Sequence, residues 1–414
     1  IVFADRTPTP KMQAVKYNYQ NFRLVVSETE VKIINKSLFT CSDRYQAVER
    51  LYRNGRLTAV KTFETKVLPL TEASVPLPLP VPKADGEYTV IVALELKEDT
   101  VWARAGHEVA FGQAVFGSFH EIDDCRAQLR ADRQGGLRLI KSRFNIGVQG
   151  AHFSILFSVG QGGLISYRYG GREMLKEAVL PNFWRAPVDN DYGNAMPQRY
   201  GQWKLASQYI MTKGDLDDLT AGLISAEEKD GRMEIVFRYI LPTRPAAACD
   251  VVWKIWADGT VEAELSYEVV PGLGDMPEFG LMFRLYSEYD RVSWYGLGPE
   301  ENYADRLVGA KLGIYQNKAA ENMTPYLRPQ ESGAKQEVRY ALVQNQSGGG
   351  LCFFGQPFGL SVTPYTPHEV ENARHAFELP RAYQTVVRVF AGQMGVGGDD
   401  SWGAKTHPEY LLDV

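Results

Sequence analysis

The sequence predicts an all-β protein, and three observations support that fold class. Segments of five to nine residues in which apolar and polar residues alternate recur along the 414-residue chain, for example at 233–240, 261–269 and 384–390. Glycine, proline, aspartate or asparagine bounds these segments, which is typical of half-buried strands. Stretches with helical periodicity are almost absent. Each of the three example segments is therefore predicted to be a strand with one buried face.

The first 125 residues have the features of an immunoglobulin-like β-sandwich. Strands are predicted at 22–26, 30–35 and 88–96, and the pairs Asn54-Gly55 and Asp85-Gly86 mark turns between such segments. Several short strands within about 110 residues are typical of this sandwich. Prolines alternate with apolar residues over 75–82, and each proline removes a donor from a strand ladder. That segment is predicted to be extended and to lie at a sheet edge.

A polar, charged connection at residues 118–136 predicts the junction between two domains, 1–125 and 126–414. The long stretch after it keeps its β pattern without a second break of this kind. Its length exceeds that of an ordinary sandwich, so a large β-sandwich built of two sheets is predicted.

Composition excludes several classes of function. The chain has 45 Lys and Arg against 50 Asp and Glu, and it has no basic run of the kind that binds nucleic acid. No apolar stretch approaches the roughly 20 residues needed to span a bilayer. The chain starts at Ile1 without Met or a signal-peptide pattern, which favours a piece of a longer protein. Four widely spaced cysteines predict neither a disulfide framework nor a zinc site: Cys41, Cys125, Cys249 and Cys352.

No self-contained active site is found, because the chain lacks a metalloprotease motif, a nucleophile elbow and a phosphate-binding loop. The segment 183–193 nevertheless places an aromatic pair, Arg185, Asp189, Asn190 and Asp191 within eleven positions. In one interpretation these polar residues form Asx turns and Arg185 pairs with a carboxylate. In the other, the loop faces a sugar-binding cleft or holds a cation, although the spacing does not match a calcium loop.

A second group of polar residues spans 294–306, 324–333 and 338–340. A buried network that braces long loops and a binding site explain this group equally well. Its members are Glu301, Asn302, Asp305, Arg306, Gln330, Glu331 and Arg339.

A third segment, 394–403, carries Trp402 beside Asp399 and Asp400 among four glycines. Glycines let the chain turn sharply, which favours an exposed indole that could stack on a sugar ring. Packing into the core is the alternative, and it is the more common fate of a tryptophan.

Four motifs in this order resemble the C-terminal part of the bacterial β-galactosidases of glycoside hydrolase family 2: FWRAPVDNDYG, WYGLGPEENYADR, TPYLRPQESG and GVGGDDSW. The opening VFADRTPTP is similar to the segment that leaves the catalytic barrel of that family. The resemblance implies the second immunoglobulin-like domain and a large sandwich similar in fold to galactose mutarotases. It also implies a share in retaining hydrolysis of terminal β-D-galactose from lactose-like galactosides. The paired catalytic glutamates lie in the barrel, so this chain alone is expected to be inactive.

The resemblance implies a role for one residue in particular. Trp402 matches the family tryptophan that reaches into the barrel's active site as an aromatic platform for the sugar. Asp399 and Asp400, with Ser401, are expected to shape its loop. The four polar residues of 183–193 are expected to brace loops near the cleft: Arg185, Asp189, Asn190 and Asp191.

Cofactors and partners follow from the same resemblance. Magnesium and sodium are expected in the barrel, and no metal is assigned to this chain. The partners are the galactoside, the missing N-terminal domains and further copies of the enzyme, in the bacterial cytoplasm unless an upstream signal directs export. A separately encoded small subunit stays open as an alternative. So does an autonomous carbohydrate-binding or mutarotase-like domain, which would need a Glu base and a His acid, the latter from among His152, His368, His375 and His407.

Overall fold

The computed structural model describes residues 1–122, 136–212, 222–400 and 402–412. The predicted boundary between residues 125 and 126 lies outside the described residues, as do Cys125 and Ser401, so this boundary stays a prediction. The chain forms two compact units. The first comprises Ile1–Asp124, Tyr295–Glu300 and Leu307–Tyr315, and the second Cys125–Trp294, Glu301–Arg306 and Gln316–Val414.

The N-terminal stretch has the strand arrangement of an immunoglobulin-like sandwich, as predicted. Strand β5 leaves its sequence neighbours to pair with β2, which gives one sheet of order β1-β2-β5 and another of order β4-β3-β6-β7. The apolar core between them includes Leu24, Ile33, Leu51 and Val90. The elements are α1 (Met12–Asn18), β1 (Phe22–Val26), β2 (Glu30–Asn35), a 3₁₀ helix (Ser42–Arg44), β3 (Tyr45–Arg53), β4 (Arg56–Phe63), β5 (Glu72–Pro76), β6 (Glu87–Leu96) and β7 (Glu108–Gly117).

The alternating prolines follow the outermost strand of the first sheet. β5 ends at Pro76 and has β2 as its one partner in the described sheet. Beyond it, Leu77, Leu79 and Val81 are half-buried against the sandwich core, while the prolines between them are exposed. The period of two therefore continues where the ladder stops. The prediction of an edge position is confirmed for 75–76, whereas Pro78 and Leu79 lie in a bend beyond the strand.

The pair Asn54-Gly55 joins β3 to β4 as a two-residue hairpin turn. Both residues have positive φ, 49° for Asn54 and 75° for Gly55, which is the backbone of a type I′ turn. Asp85-Gly86 lies instead in a bend that leads into β6.

The described residues from 136 onward form three sheets, where the sequence analysis predicts two. Their orders are β12-β11-β10-β9-β8, β14-β16-β17-β18 with β15 also on β16, and β13-β19-β24-β23-β22-β20-β21. Periodicity shows which face of a strand is buried but not which strands pair, so the number of sheets was not available from the pattern. The all-β prediction itself is confirmed.

The strands of this part are β8 (Arg138–Lys141), β9 (Asn145–Gln149), β10 (Phe153–Ser158), β11 (Gly163–Tyr169), β12 (Arg172–Glu173), β13 (Leu180–Asn182), β14 (Met211–Thr212), β15 (Leu223–Lys229), β16 (Arg232–Leu241), β17 (Ala247–Ile255), β18 (Val261–Tyr267), β19 (Glu278–Tyr286), β20 (Arg291–Gly298), β21 (Lys311–Lys318), β22 (Lys335–Gln344), β23 (Gly350–Thr363) and β24 (Gln384–Gln393). Its helices are α2 (Asp189–Gly193), α3 (Met196–Arg199), α4 (Gly201–Gln208) and α5 (Pro367–Asn372), with 3₁₀ turns at Ala319–Asn322, Ala376–Glu378 and Pro408–Tyr410.

Two of the predicted strands differ in their burial. β16 alternates between buried and partly exposed residues, as a half-buried strand should. Gln384–Phe390 is a strand as predicted, but β24 is buried on both faces, so the prediction of one solvent-facing side is wrong there. The reason is its position between β19 and β23 in the seven-stranded sheet, where its polar side chains join a buried network.

In the described part of the chain, no helix is both long and apolar enough to cross a membrane. The longest helix found there, α4, has eight residues.

Candidate functional site

Trp402 lies at the tip of the segment that follows β24, and its side chain is 88% exposed. The turn that presents it is held by one carboxylate. Asp400 Oδ1 accepts hydrogen bonds from the backbone N–H groups of Trp402 (2.8 Å), Gly403 (3.1 Å) and Ala404 (3.1 Å). These bonds, that from Trp402 first, hold the pKa of Asp400 below its ordinary value. The indole is therefore presented by a defined turn.

Helix α2 packs against this turn, so the structure brings the first and third motifs together. Asn190 Nδ2 donates to the carbonyl oxygen of Ala404 at 2.9 Å, and Asn194 Nδ2 approaches the same oxygen at 3.4 Å. A Cβ atom placed on Gly193 would lie only 2.9 Å from the carbonyl oxygen of Trp402. The close approach of the two backbones requires glycine at this position.

Arg185 holds the start of the same segment from inside the protein. Its guanidinium donates to the carbonyl oxygens of Met394 (3.3 Å) and Gly395 (2.9 Å) and to both carboxylate oxygens of Asp191, at 2.6 and 3.3 Å. Burial alone would lower the pKa of Arg185, but Asp191 and then Glu331 outweigh it and raise the pKa. With 0% of its side chain exposed, Arg185 anchors the loop and cannot contact a ligand.

The remaining predicted residues of these two motifs have different environments. Asp191 is buried and also accepts from the backbone N–H of Val188 at 2.8 Å. Asp189 is at the surface, where Gln330 Nε2 donates to its carboxylate at 3.1 Å. Asp399 is exposed and lies 2.9 Å from His407 Nε2, and this contact is the first cause of the raised pKa of His407. The geometry of all of them is that of bracing contacts within the protein.

The second motif group forms a buried network around Glu301. Its carboxylate accepts from Arg306 Nη2 (2.7 Å), Thr324 Oγ1 (3.1 Å), Tyr326 Oη (2.9 Å) and the backbone N–H of Gly333 (2.8 Å). Four donors on one buried carboxylate satisfy its charge without a ligand. Of the two interpretations left open by the sequence, these contacts match the network that braces long loops.

Asp305 connects this network to the Trp402 loop. Its Oδ2 accepts from the backbone N–H of Gly397 at 2.6 Å. A Cβ atom on Gly395 would lie 2.8 Å from the carboxylate carbon of Asp305, so the glycines of the third motif also admit a half-buried carboxylate from the second. All three motif groups therefore meet at one loop.

Sequence reasoning missed the arginine at the centre of a further buried cluster. Arg388 donates to Glu278 Oε2 (2.6 Å), Glu331 Oε1 (2.5 Å) and Ser361 Oγ (2.9 Å). Burial raises the pKa of Glu278 to about 7, although Arg388 opposes that rise. The sequence feature that could have indicated this cluster is a charged residue between Val387 and Val389, within an apolar stretch of β24.

The described residues contain no group of three or more His, Cys, Asp or Glu side chains that could hold a metal ion. Cys41, Cys249 and Cys352 are free thiols. On the Trp402 loop, the Asp399 carboxylate contacts His407 and the Asp400 carboxylate caps the turn. The loop therefore offers an apolar face and one indole N–H donor, which suits binding of a sugar ring but not cleavage of a glycosidic bond.

Comparison with known families agrees with the motifs. Residues 149–414 match the family described as β-galactosidase small chain, and residues 31–117 match β-galactosidase domain 4. A β-galactosidase of Halalkalibacterium halodurans is 38% identical over the whole of this chain and 40% of its own length. One of Streptococcus thermophilus is 36% identical over the whole chain and 39% of its own length. The chain thus spans about 40% of the length of these relatives.

A shorter relative aligns with a smaller part of this chain but with most of its own length. The β-galactosidase small subunit of Latilactobacillus sakei is 33% identical over 67% of this chain and 94% of its own length.

Among solved structures, the mutarotase candidate YeaD of Salmonella typhimurium aligns at 13% identity with a TM-score of 0.28, covering 66% of this chain and 93% of its own. A TM-score this low supports no inference about function.

Proposed function

The chain belongs to the β-galactosidase small-chain family, and from that premise we propose that it supplies the sugar-positioning part of a β-galactosidase active site. In this proposal Trp402 is the aromatic platform beside the scissile bond. The two carboxylates of a retaining mechanism are contributed by another part of the enzyme. The substrate is a lactose-like β-D-galactoside that is cleaved at its terminal non-reducing galactose.

The observation that carries the proposal is the exposure of Trp402 on a loop that is held in place by three motif groups. An exposed indole whose backbone is fixed presents a flat apolar face and one N–H donor, which can stack on and hydrogen-bond to a sugar ring. Fixing the loop in advance lowers the entropy that is lost when the sugar is bound in a reactive orientation. Arg185, Asp305 and Asp400 are positioning residues in this scheme, because each contacts the loop that carries Trp402.

The metals expected for the family have no place in this part of the scheme. In this proposal magnesium and sodium act on the barrel, and neither ion is assigned to a residue of this chain. No step of the proposed role of this chain depends on a metal. Assembly into a homo-oligomer and a cytoplasmic location belong to the same proposal.

Substitution of Trp402 in the longer enzyme tests the platform. We expect Trp402→Ala to lower kcat/KM on an aryl β-galactoside by about tenfold or more, since the stacking energy that orients the sugar is lost. Trp402→Phe should recover part of the activity because it restores a flat apolar face. Trp102→Ala is the matched control, because Trp102 is another exposed tryptophan, at 62%, in the first unit. Unchanged kcat and KM in Trp402→Ala would remove the platform role.

An assay of the 414-residue chain alone tests the missing chemistry. We expect no hydrolysis of a chromogenic β-galactoside above that of a mock purification from cells lacking the chain. Turnover that follows the chain through purification would contradict the proposal that the catalytic carboxylates lie elsewhere.

A natural two-subunit enzyme is the second candidate, and the Latilactobacillus sakei small subunit favours it, because 94% of that protein aligns with part of this chain. Co-expression of this chain with a separately encoded barrel decides between the two. Activity that appears only when both are present would support the two-subunit form.

A further inference from the structure

The second unit contains a cleft of about 980 Å³ whose lining residues do not include the Trp402 loop. Its lining includes Gln161 in the turn between β10 and β11, Gln208 and Tyr209 at the end of α4, and His368 and Asn372 of α5. A volume of this size lies at the upper end of the range of small-molecule sites. The lining shows which kind of molecule would fit.

Charge does not favour an ionic ligand. The cleft is lined by two cations and two carboxylates, and their charges balance. Arg284 forms an ion pair with Glu177, and Lys176 lies 3.8 Å from Glu177 and 3.9 Å from the ring centroid of Tyr383. Glu369 accepts a hydrogen bond from Tyr383 Oη at 2.9 Å and others from the start of α5. Every charged lining group is thus already engaged within the protein.

Three uncharged side chains of the cleft are not engaged in this way, whereas the hydroxyl groups of Ser207 and Thr366 are hydrogen-bonded within the protein. The side-chain amides of Gln161, Gln208 and Asn372 are exposed and make no hydrogen bond to any described residue. Each amide carries both donors and acceptors, which match the hydroxyl groups of a neutral polyol.

His368 is the most unusual group in the cleft. Both of its ring nitrogens are buried, and neither has a hydrogen-bond partner in the described part of the chain. Burial, and then the positive charges of Lys204, Arg284 and Arg388, lower the pKa of His368 to about 3, so the ring is neutral at physiological pH. A buried polar group without a partner costs free energy in the free protein. A small movement of the ring or of its neighbours would let a ligand hydroxyl reach one of these nitrogens and supply the missing partner.

Apolar surface completes the lining. Ile165, Leu180 and Met282 contribute aliphatic side chains from three strands, and the ring of Tyr209 is 61% exposed at the rim. Sugar rings combine hydroxyl edges with C–H faces, and aromatic rings stack on those faces. Amides, a neutral imidazole and an exposed tyrosine around an aliphatic floor therefore match a neutral saccharide.

We propose that this cleft binds a neutral saccharide, as a second sugar site that is separate from the Trp402 loop. Since both lining carboxylates are engaged, the site binds the saccharide without cleaving it. The proposal does not depend on the catalytic role of Trp402, and each can fail without the other.

Calorimetric titration of the full 414-residue chain with lactose and with galactose tests the site. We expect saturable binding of at least one of the two with a Kd in the millimolar range or tighter. Tyr209→Ala and Gln208→Ala change exposed side chains, and each should raise the Kd several-fold. Tyr19→Ala, a matched control at an exposed tyrosine of the first unit, should leave the Kd unchanged.

The substitution His368→Phe distinguishes a role of this residue in sugar binding from a purely structural role. Removal of two unpartnered nitrogens should leave the thermal midpoint unchanged or raise it, while affinity for the sugar falls. The proposal is overturned if neither sugar binds to the folded chain, or if inorganic phosphate binds in the cleft instead. It is also overturned if Trp402→Ala abolishes binding while Tyr209→Ala and His368→Phe do not change it.

Discussion

Two regions of the second unit place their most distinctive side chains in opposite environments. In the buried cluster, Arg185 and Arg388 are almost completely enclosed and each contacts at least one carboxylate. In the Trp402 loop, the most distinctive side chain is left in water while its backbone is fixed. In the first region the charges interact with one another, whereas in the second the polar groups hold a loop and leave an apolar surface free.

The difference teaches how to interpret conspicuous charged motifs. Carboxylates and arginines near a proposed sugar site suggest catalysis, yet here both oxygens of Asp191 and three donors of Arg185 are used inside the protein. A group whose hydrogen bonds are already made has little left to offer a substrate. The functional candidate of these motifs is instead Trp402, whose side chain makes no such contact with the described residues.

The largest expected effect is on the buried cluster. Arg388→Met would leave Glu278 and Glu331 buried without their cation, and we expect a loss of about 3–5 kcal/mol in the free energy of unfolding. Urea denaturation followed by tryptophan fluorescence measures this loss. The matched control is Arg238→Met, because Arg238 also donates two hydrogen bonds to carboxylate oxygens, here both of Asp250 at 2.8 and 2.7 Å, but lies on an exposed strand surface. If the two variants lose similar stability, burial does not distinguish the two pairs.

The pH dependence of stability tests the same cluster. Burial raises the folded-state pKa of Glu278 to about 7, against an ordinary value of 4.5. The stability from this group is therefore fully present below pH 4.5 and is lost as the pH rises through 7, a change of up to a few kcal/mol. Glu278→Gln removes this titration, so the stability of the wild type relative to the variant should fall between pH 5 and pH 8. A difference that grows with pH would contradict the assignment.

The fold was predictable to the extent that local pattern determines it. Strands such as β16 follow from alternation, and the type I′ turn follows from Asn54-Gly55, because both depend on neighbouring residues. The division into three sheets and the double-sided burial of β24 depend on which distant strands pair. Local sequence carries no information about such contacts.

The contacts of the candidate site can also be divided into local ones, which the sequence predicts, and distant ones, which it does not. The cap made by Asp400 is a local Asx pattern, since the acceptor lies two to four residues before its donors. The contact of Arg185 with Gly395 joins residues 210 positions apart, and only the folded chain shows it. The exposure of Trp402 was one of two alternatives open from the sequence, since glycine-rich flanks fit a loop tip and equally a tightly packed turn.

A smaller effect is expected where helix α2 supports the Trp402 loop. Asn190→Asp keeps the shape of the side chain but removes the Nδ2 donor to Ala404, and we expect about 1 kcal/mol of local stabilisation to be lost. Amide hydrogen exchange should then be faster around 402–404 while the strands of the seven-stranded sheet stay protected. Faster exchange throughout the second unit would mean that Asn190 supports the core and not the loop alone.

The smallest effect should come from the exposed contact between His407 and Asp399. Asp399, and then Glu409, raise the pKa of His407, so the contact is present at low pH and is lost as the pH rises through the raised value. His407→Gln should remove any change in Trp402 fluorescence between pH 6 and pH 8 and leave the unfolding midpoint unchanged. The expectation is small because both side chains are exposed and water screens their attraction. A loss of stability as large as that of Arg388→Met would show that the loop is part of the core and would end the distinction between the two regions.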